Sequence, residues 1–344
     1  MTNEQAREII RNRKQELGSR LIILGHHYQT DDVIEFADYV GDSLELARKA
    51  SQIETAEYLV LCGVYFMAET AAILAPGKSV FIPERNAGCP LADMAQADDV
   101  QAAWDIIVRE NGKVIPVTYV NSSAELKAFC GRHEGTVCTS ANARKVVAWA
   151  LDRADKVLFM PDMNLGRNTA RAMNIPDSEV MVWDKTLPWG GLSREDITGA
   201  RMLLWKGWCP VHAPGLTVED VDRVRLKHPG IKVMVHPEAD PATVAAAGSS
   251  GSTSQMLDFV AGLPKGERLV MGTEANLVLR AARKNAQDIE IIPLKEVYCE
   301  DMAKVTLQKL AETLSGIPAP DRMVKLPEAV IADARKALDT MLRI

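Results

Sequence analysis

Four of the six histidines stand in short polar loops that follow apolar runs. Gly25-His26-His27-Tyr28 comes directly after Leu21-Ile22-Ile23-Leu24, and His236-Pro237-Glu238 comes directly after Lys232–Val235. His212 lies three residues after Cys209, while His133 and His228 sit in polar turns. A histidine at a strand end can act as acid, base or anion ligand near neutral pH. The His236 loop adds a carboxylate two residues on. A histidine that merely bonds loop backbone fits the same positions, and spacing alone leaves both readings open.

The six cysteines are Cys62, Cys89, Cys130, Cys138, Cys209 and Cys299, with no C-x-x-C pair. That excludes a zinc ribbon and a thioredoxin-type motif. Cys89, Cys209 and Cys299 share a setting, each after a strand-like run and before a polar or helical stretch, and Pro follows the first two. From 89 to 209 and from 209 to 299 they are 120 and 90 residues apart, unlike the local spacing of ferredoxin ligands. Taken singly, each reads as a buried free thiol. Cys62 and Cys138 read as strand residues, and Cys130 as a bystander in a turn, FCGRHEG.

Hydroxyls gather where helices would begin: Asp42-Ser43, Asn121-Ser122-Ser123, Thr139-Ser140, Ser252-Thr253-Ser254 and Thr273-Glu274. Free N–H groups and the helix dipole suit phosphate or carboxylate there. Ordinary capping accounts for most of them, and Asp42-Ser-Leu-Glu45 resembles a capping box. The run GSSGSTSQ from 248 has more small residues than a cap requires, yet lacks the lysine of a Walker loop.

These loops need elements to hold them. Nine short β-branched and aliphatic runs are each followed by a polar or glycine-bearing loop and a helical stretch: LIILGHHYQ, YLVLCGVYF, SVFIPERNAGCP, VIPVTYVNSS, TVCTSANA, KVLFMPDMN, RMLLWKGWCPVH, IKVMVHPEAD and RLVMGTEAN. Runs apolar on both faces indicate parallel strands covered by helices, an α/β architecture whose ligands bind beyond the strands' carboxyl ends. Nine strands overfill one doubly wound sheet, so a TIM barrel or several small α/β sandwiches both fit. Breaks are expected near 90, 185 and 295, and the tail from about 300 reads as helices.

The chain has 344 residues, 47% hydrophobic and 25% charged, with formal net charge −6. At roughly 150 residues per domain this is two or three domains, and the composition is that of an ordinary globular protein. A pI near 5.6 argues against nucleic-acid binding. No apolar run approaches the roughly 20 residues that span a bilayer, and the charged N-terminus has no signal-peptide core. A cytoplasmic location with reduced cysteines and no membrane partner is therefore expected.

Taken in order, GHHYQ, GDS, GCPLADM, TYVNSSAE, CTSANA, CPVH, HPE, GSTSQM, GTE and C-x-x-M-x-x-x-TL resemble the motifs of the quinolinate synthase family, from residue 25 to about 310. The resemblance implies three similar small three-layer α/β/α domains around a pseudo-threefold axis. They would span 1–90 with 300–344, 91–185 and 186–299, about 115 residues on average. It implies one [4Fe-4S] cluster held by Cys89, Cys209 and Cys299, with one iron free of protein ligands to serve as Lewis acid. Cys62, Cys130 and Cys138 stay bystanders. Cys299-Glu-Asp-Met302 lacks the second cysteine of a C-x-x-C, so the thiol–disulfide switch proposed for some relatives is not available there.

The implied activity is a transferase-type condensation of iminoaspartate with dihydroxyacetone phosphate to quinolinate, phosphate and water, in NAD biosynthesis. By resemblance, His26, Ser43, Ser140, Ser252 and Thr253 hold the carboxylates and phosphate. Tyr28, Tyr119 and Asn121 orient the triose and assist proton transfers, and His236 with Glu238 is the acid–base pair. Functional coupling to an aspartate oxidase, which would supply the unstable imine, is implied too. A metal-free aldolase using His236 and Glu238, and an iron-sulfur or anion-sensing binding module, are the competing readings.

Overall fold

The computed structural model describes residues 1–110 and 112–344. It is an α/β protein built on three parallel sheets. The first holds β1 (Leu21–His26), β2 (Tyr39–Gly41), β3 (Tyr58–Cys62) and β4 (Ser79–Phe81) in the order β2-β1-β3-β4. The second holds β5 (Val114–Tyr119), β6 (Thr136–Cys138), β7 (Lys156–Met160), β8 (Val180–Trp183) and β9 (Met202–Trp205) in the order β6-β5-β7-β9-β8. The third holds β10 (Lys232–Val235), β11 (Arg268–Gly272) and β12 (Glu290–Pro293) in that order.

All nine expected strands form, and their apolar runs are the reason. Every residue of β5 and β7 is buried, as a strand covered on both faces must be. Three further strands, β2, β8 and β12, lie outside the nine, and each is an edge strand with at most one fully buried residue. Helices cover the faces, so the sandwich alternative holds and the barrel does not.

The sheets divide the chain differently from the expected boundaries. β9 pairs with β7 and β8, so a break near 185 would fall inside the second sheet, whose last strand ends at Trp205. The C-terminal helix Glu328–Arg343 packs chiefly against the second unit, while Arg335 also donates to Ile73 O of the first at 3.5 Å. Thr136 Oγ1 donates to Ala337 O at 3.0 Å, and Gly131 sits so close that an added Cβ would fall 1.9 Å from Asp333 O. Cys130 is inside the helix Ala124–Arg132 and fully buried. FCGRHEG is thus a helix end, 129–132, followed by the expected turn at 133–134.

The first two units and the terminal helices share one apolar core, whereas the third has two smaller cores of its own. Among the described residues no helix is long and apolar enough to cross a membrane.

Candidate active site

The carboxyl ends of the three sheets face one cavity of about 430 Å³. The loop after the first strand of each sheet reaches it: His26 and Tyr28 after β1, Tyr119 and Asn121 at and after β5, His236 and Glu238 after β10. Each sheet also sends in one cysteine after its last strand: Cys89 after β4, Cys209 after β9 and Cys299 after β12. Ser43, Ser140 and Thr253 complete the expected set at the wall. Ser252 does not line the cavity. It is fully buried as the N-cap of the helix Thr253–Ala261, accepting the N–H of Gln255 while Gln255 reciprocates.

Two helices begin at the cavity with Ser43 and Thr253 in their first turns. Asp42 caps the Ser43–Gln52 helix in a capping box with Glu45, as expected. Ser254 Oγ donates to Asp42 Oδ2 at 2.7 Å, so the two helix starts are tied together. No lysine or arginine is among the described lining residues. An anion held here would meet hydroxyls, imidazoles and free helix N–H groups.

The imidazoles of His26 and His236 are neutral. Burial, then the charge of His27, pulls His26 down to about 3, and burial followed by His212 does the same to His236. Each uses Nδ1 as an acceptor for the N–H two residues on, from Tyr28 at 3.1 Å and from Glu238 at 3.4 Å. Their protons therefore sit on Nε2.

Glu238 is the hub. Burial works to raise its pKa, but attraction to any charge on the facing His236 and His212, with the hydrogen bonds from His212 and Tyr119, holds it below the ordinary carboxylate value. Tyr119 donates its hydroxyl to Glu238 Oε1 at 2.5 Å. His212 Nδ1 lies 3.2 Å from Glu238 Oε2, and His212 Nε2 lies 3.1 Å from Thr273 Oγ1. Thr273 Oγ1 is 2.9 Å from the Tyr28 hydroxyl. An ionised carboxylate only accepts, so His212 donates Nδ1–H to Glu238; in the tautomer that leaves Nε2 free to accept, Thr273 donates to His212 and Tyr28 to Thr273. Burial, then Glu238, holds both Tyr28 and Tyr119 well above the usual phenol range, so both are neutral donors.

His212 and Thr273 carry no assigned role in the sequence reading. The signal for His212 was Cys-Pro-Val-His itself, a histidine in the same loop as a candidate cysteine. Thr273 stood out only as a helix-start hydroxyl, and in fact Glu274 caps that helix. Asp162 was also missed. Buried, with Oδ2 unpartnered among the described residues, it is driven well above the carboxylate range by burial and then by Glu238. Asn121 Oδ1 is likewise buried without a partner among the described residues, on a side chain that lines the cavity.

The three cavity cysteines are half-buried, while Cys62, Cys130 and Cys138 are fully buried in strands and a helix. Burial raises all three cavity thiols. Nearby backbone N–H groups work against that rise: those of Ala92 and Leu91 for Cys89, of Val211 for Cys209, and of Met302 and Asp301 for Cys299. Cys89 and Cys299 gain theirs by preceding one-turn helices, Pro90–Asp93 and Glu300–Ala303. Such donors suit thiolates, and a bound metal group would supply the positive charge that the lining lacks. Cys209, His212 and Glu238 also bring one ligand atom each within 4.8 Å, but two of them are already engaged in the hydrogen-bond chain.

The model of the quinolinate synthetase A protein family matches residues 8–343. The quinolinate synthase of Corynebacterium glutamicum is 43% identical over an alignment that takes in all of this chain and 88% of the relative. That of Streptomyces coelicolor is 42% identical over 96% of this chain and 86% of its own, and that of Rhodopirellula baltica 44% over 92% and 84%.

Proposed function

The chain belongs to the quinolinate synthetase A protein family, and from that membership we propose that it is a quinolinate synthase. The proposed reaction joins iminoaspartate to dihydroxyacetone phosphate and releases quinolinate, phosphate and two waters, a step of NAD biosynthesis. One observation carries the reading: three sheets each deliver a histidine- or tyrosine-bearing loop and a cysteine to one cavity.

Cys89, Cys209 and Cys299 would hold the [4Fe-4S] cluster. Three ligands fit it with one iron left over, and when bound it supplies a Lewis acid for substrate oxygen. The substrates are anions, and the seats proposed for their carboxylates and phosphate are the helix starts at Ser43 and Thr253, Ser140, and the Nε2–H of His26. Ser252 contributes through its cap rather than by contact. Asn121 and Tyr119 orient the triose.

The chain from Tyr28 to Glu238 supports proton transfer in both directions. As the Tyr28 oxygen takes a proton from substrate carbon, its own proton passes to Thr273, and the Thr273 proton passes to His212 Nε2. The resulting imidazolium lies against the Glu238 carboxylate. The reverse movement delivers a proton to a departing hydroxyl, which is the need of dehydration after isomerisation. His236, stacked on His212 with ring centroids 4.2 Å apart, presents Nε2–H to the substrate as a donor. The imine is unstable, so supply by an aspartate oxidase is part of the proposal.

Anaerobically purified protein given both substrates is expected to form quinolinate. Glu238→Gln should keep the fold and metal content and lose at least about a hundredfold in kcat, the scale of general acid–base catalysis. Turnover by that variant at the parental rate would overturn the role given to Glu238, and no quinolinate from the parent would overturn the function.

A further inference from the structure

In each unit the helix after the strand beside the first strand reaches out and holds the catalytic loop of another unit. The three helices are Tyr65–Leu74 after β3, Met163–Ala172 after β7 and Ala275–Asn285 after β11. From the third unit, Asn276 Nδ2 donates to Tyr28 O at 3.1 Å, and Arg280 donates to His27 O at 2.8 Å and to Gln29 O. Three successive carbonyls of the β1 loop are thereby gripped from outside. From the second unit, Asn168 Nδ2 donates to Pro237 O at 2.8 Å and Ala239 O at 2.9 Å, the two carbonyls on either side of Glu238. From the first unit, Glu69 Oε2 accepts the Ala124 N–H at 3.1 Å, at the end of the loop that carries Asn121.

The third unit holds the first, the first holds the second and the second holds the third, so the circuit closes. None of the four side chains lines the cavity. Loop carbonyls and N–H groups turned toward a neighbouring unit are satisfied by these side chains only while the units stay docked. Catalysis by groups drawn from three units also requires their separations to be fixed, because a misplacement of about 1 Å costs about a hundredfold in rate. We infer that Glu69, Asn168, Asn276 and Arg280 are positioning residues, forming a closed ring of clamps that sets Tyr28, Asn121 and Glu238 relative to one another. The kinetic arm of the test rests on the function proposed above; the exchange arm does not.

The test uses full-length, anaerobically purified protein. Asn168→Ala and Arg280→Ala are expected to lower kcat for quinolinate about ten- to a hundredfold, with KM within about threefold and iron content unchanged. Arg280→Lys should recover part of the loss. Arg283→Ala, which removes only a surface ion pair with Asp31, should leave kcat as it was. Amide hydrogen exchange should quicken over residues 27–31 in Arg280→Ala and over 237–240 in Asn168→Ala. Parental kcat and parental protection in both variants would overturn the clamp, as would exchange rising uniformly along the chain, which marks a merely structural role. Quickened local exchange in a protein whose parent makes no quinolinate would overturn the functional reading and leave the clamp standing.

Discussion

His26 and His236 repeat one arrangement in two units: each accepts the N–H of the residue two places on, at Nδ1, and offers Nε2–H to the cavity. Burial holds both at about 3, against 6.5 for a free imidazole. Between pH 6.5 and about 3 the unfolded chain therefore binds a proton at each histidine that the folded protein does not, and the folded state loses stability as pH falls through that window. The slope is about 1.4 kcal/mol per pH unit for each group. Glu69 and Glu274, pulled up to about 7 by burial, work in the opposite direction, so the readout is the difference from a variant. Urea unfolding of the parent and of His236→Gln from pH 7 to 4 should show the variant losing less stability on acidification; parallel curves would contradict a neutral buried His236. At this scale most of the site was legible from the sequence, since a histidine, tyrosine or cysteine just after an apolar run announces itself. His212 and Thr273 were not, because the hydrogen bonds that define them join residues 61 apart in the chain. Ser252 was legible as a helix start, though its hydroxyl faces the cap and not the cavity.

The elements were legible wherever burial on both faces writes a continuous apolar run. β2, β8 and β12 escaped because an edge strand needs fewer apolar residues; β2 has two exposed residues of three. The helix Ala124–Arg132 escaped at its end, where Cys-Gly-Arg-His reads as a turn. The glycine is there for another reason, the close approach of the C-terminal helix. Gly131→Ala would put a methyl 1.9 Å from Asp333 O and 2.8 Å from its carbonyl carbon, so backbone must shift. Overpacking of this kind costs about 1–3 kcal/mol, and the prediction lies at the upper end because no flexible side chain can yield. A thermal melt should show a clear fall in Tm for Gly131→Ala, while Gly230→Ala, with open space around its added Cβ but a positive φ, should cost only the left-handed backbone penalty of about 1–2 kcal/mol. Equal melting points for parent and Gly131→Ala would contradict the packing.

The whole molecule has a division that the sequence pattern blurred. The recurring strand–loop–helix unit left a barrel and several small sandwiches both open, with breaks expected near 90, 185 and 295. Hydrogen-bond pairing follows other rules, and it carried β9 back to the second sheet. One cysteine per sheet, each after the last strand, is the feature that the three units repeat at their common cavity. The most direct test is iron and acid-labile sulfide analysis of anaerobically purified protein, paired with quinolinate formation, in the parent and in four cysteine variants. Brown parent protein with about four irons and four sulfides per chain and quinolinate turnover is the predicted result. Cys89→Ala, Cys209→Ala and Cys299→Ala should each lose colour and turnover, with Cys130→Ala keeping the colour. Bleaching by Cys130→Ala while Cys209→Ala stays brown, or a parent with neither iron nor quinolinate, would contradict it.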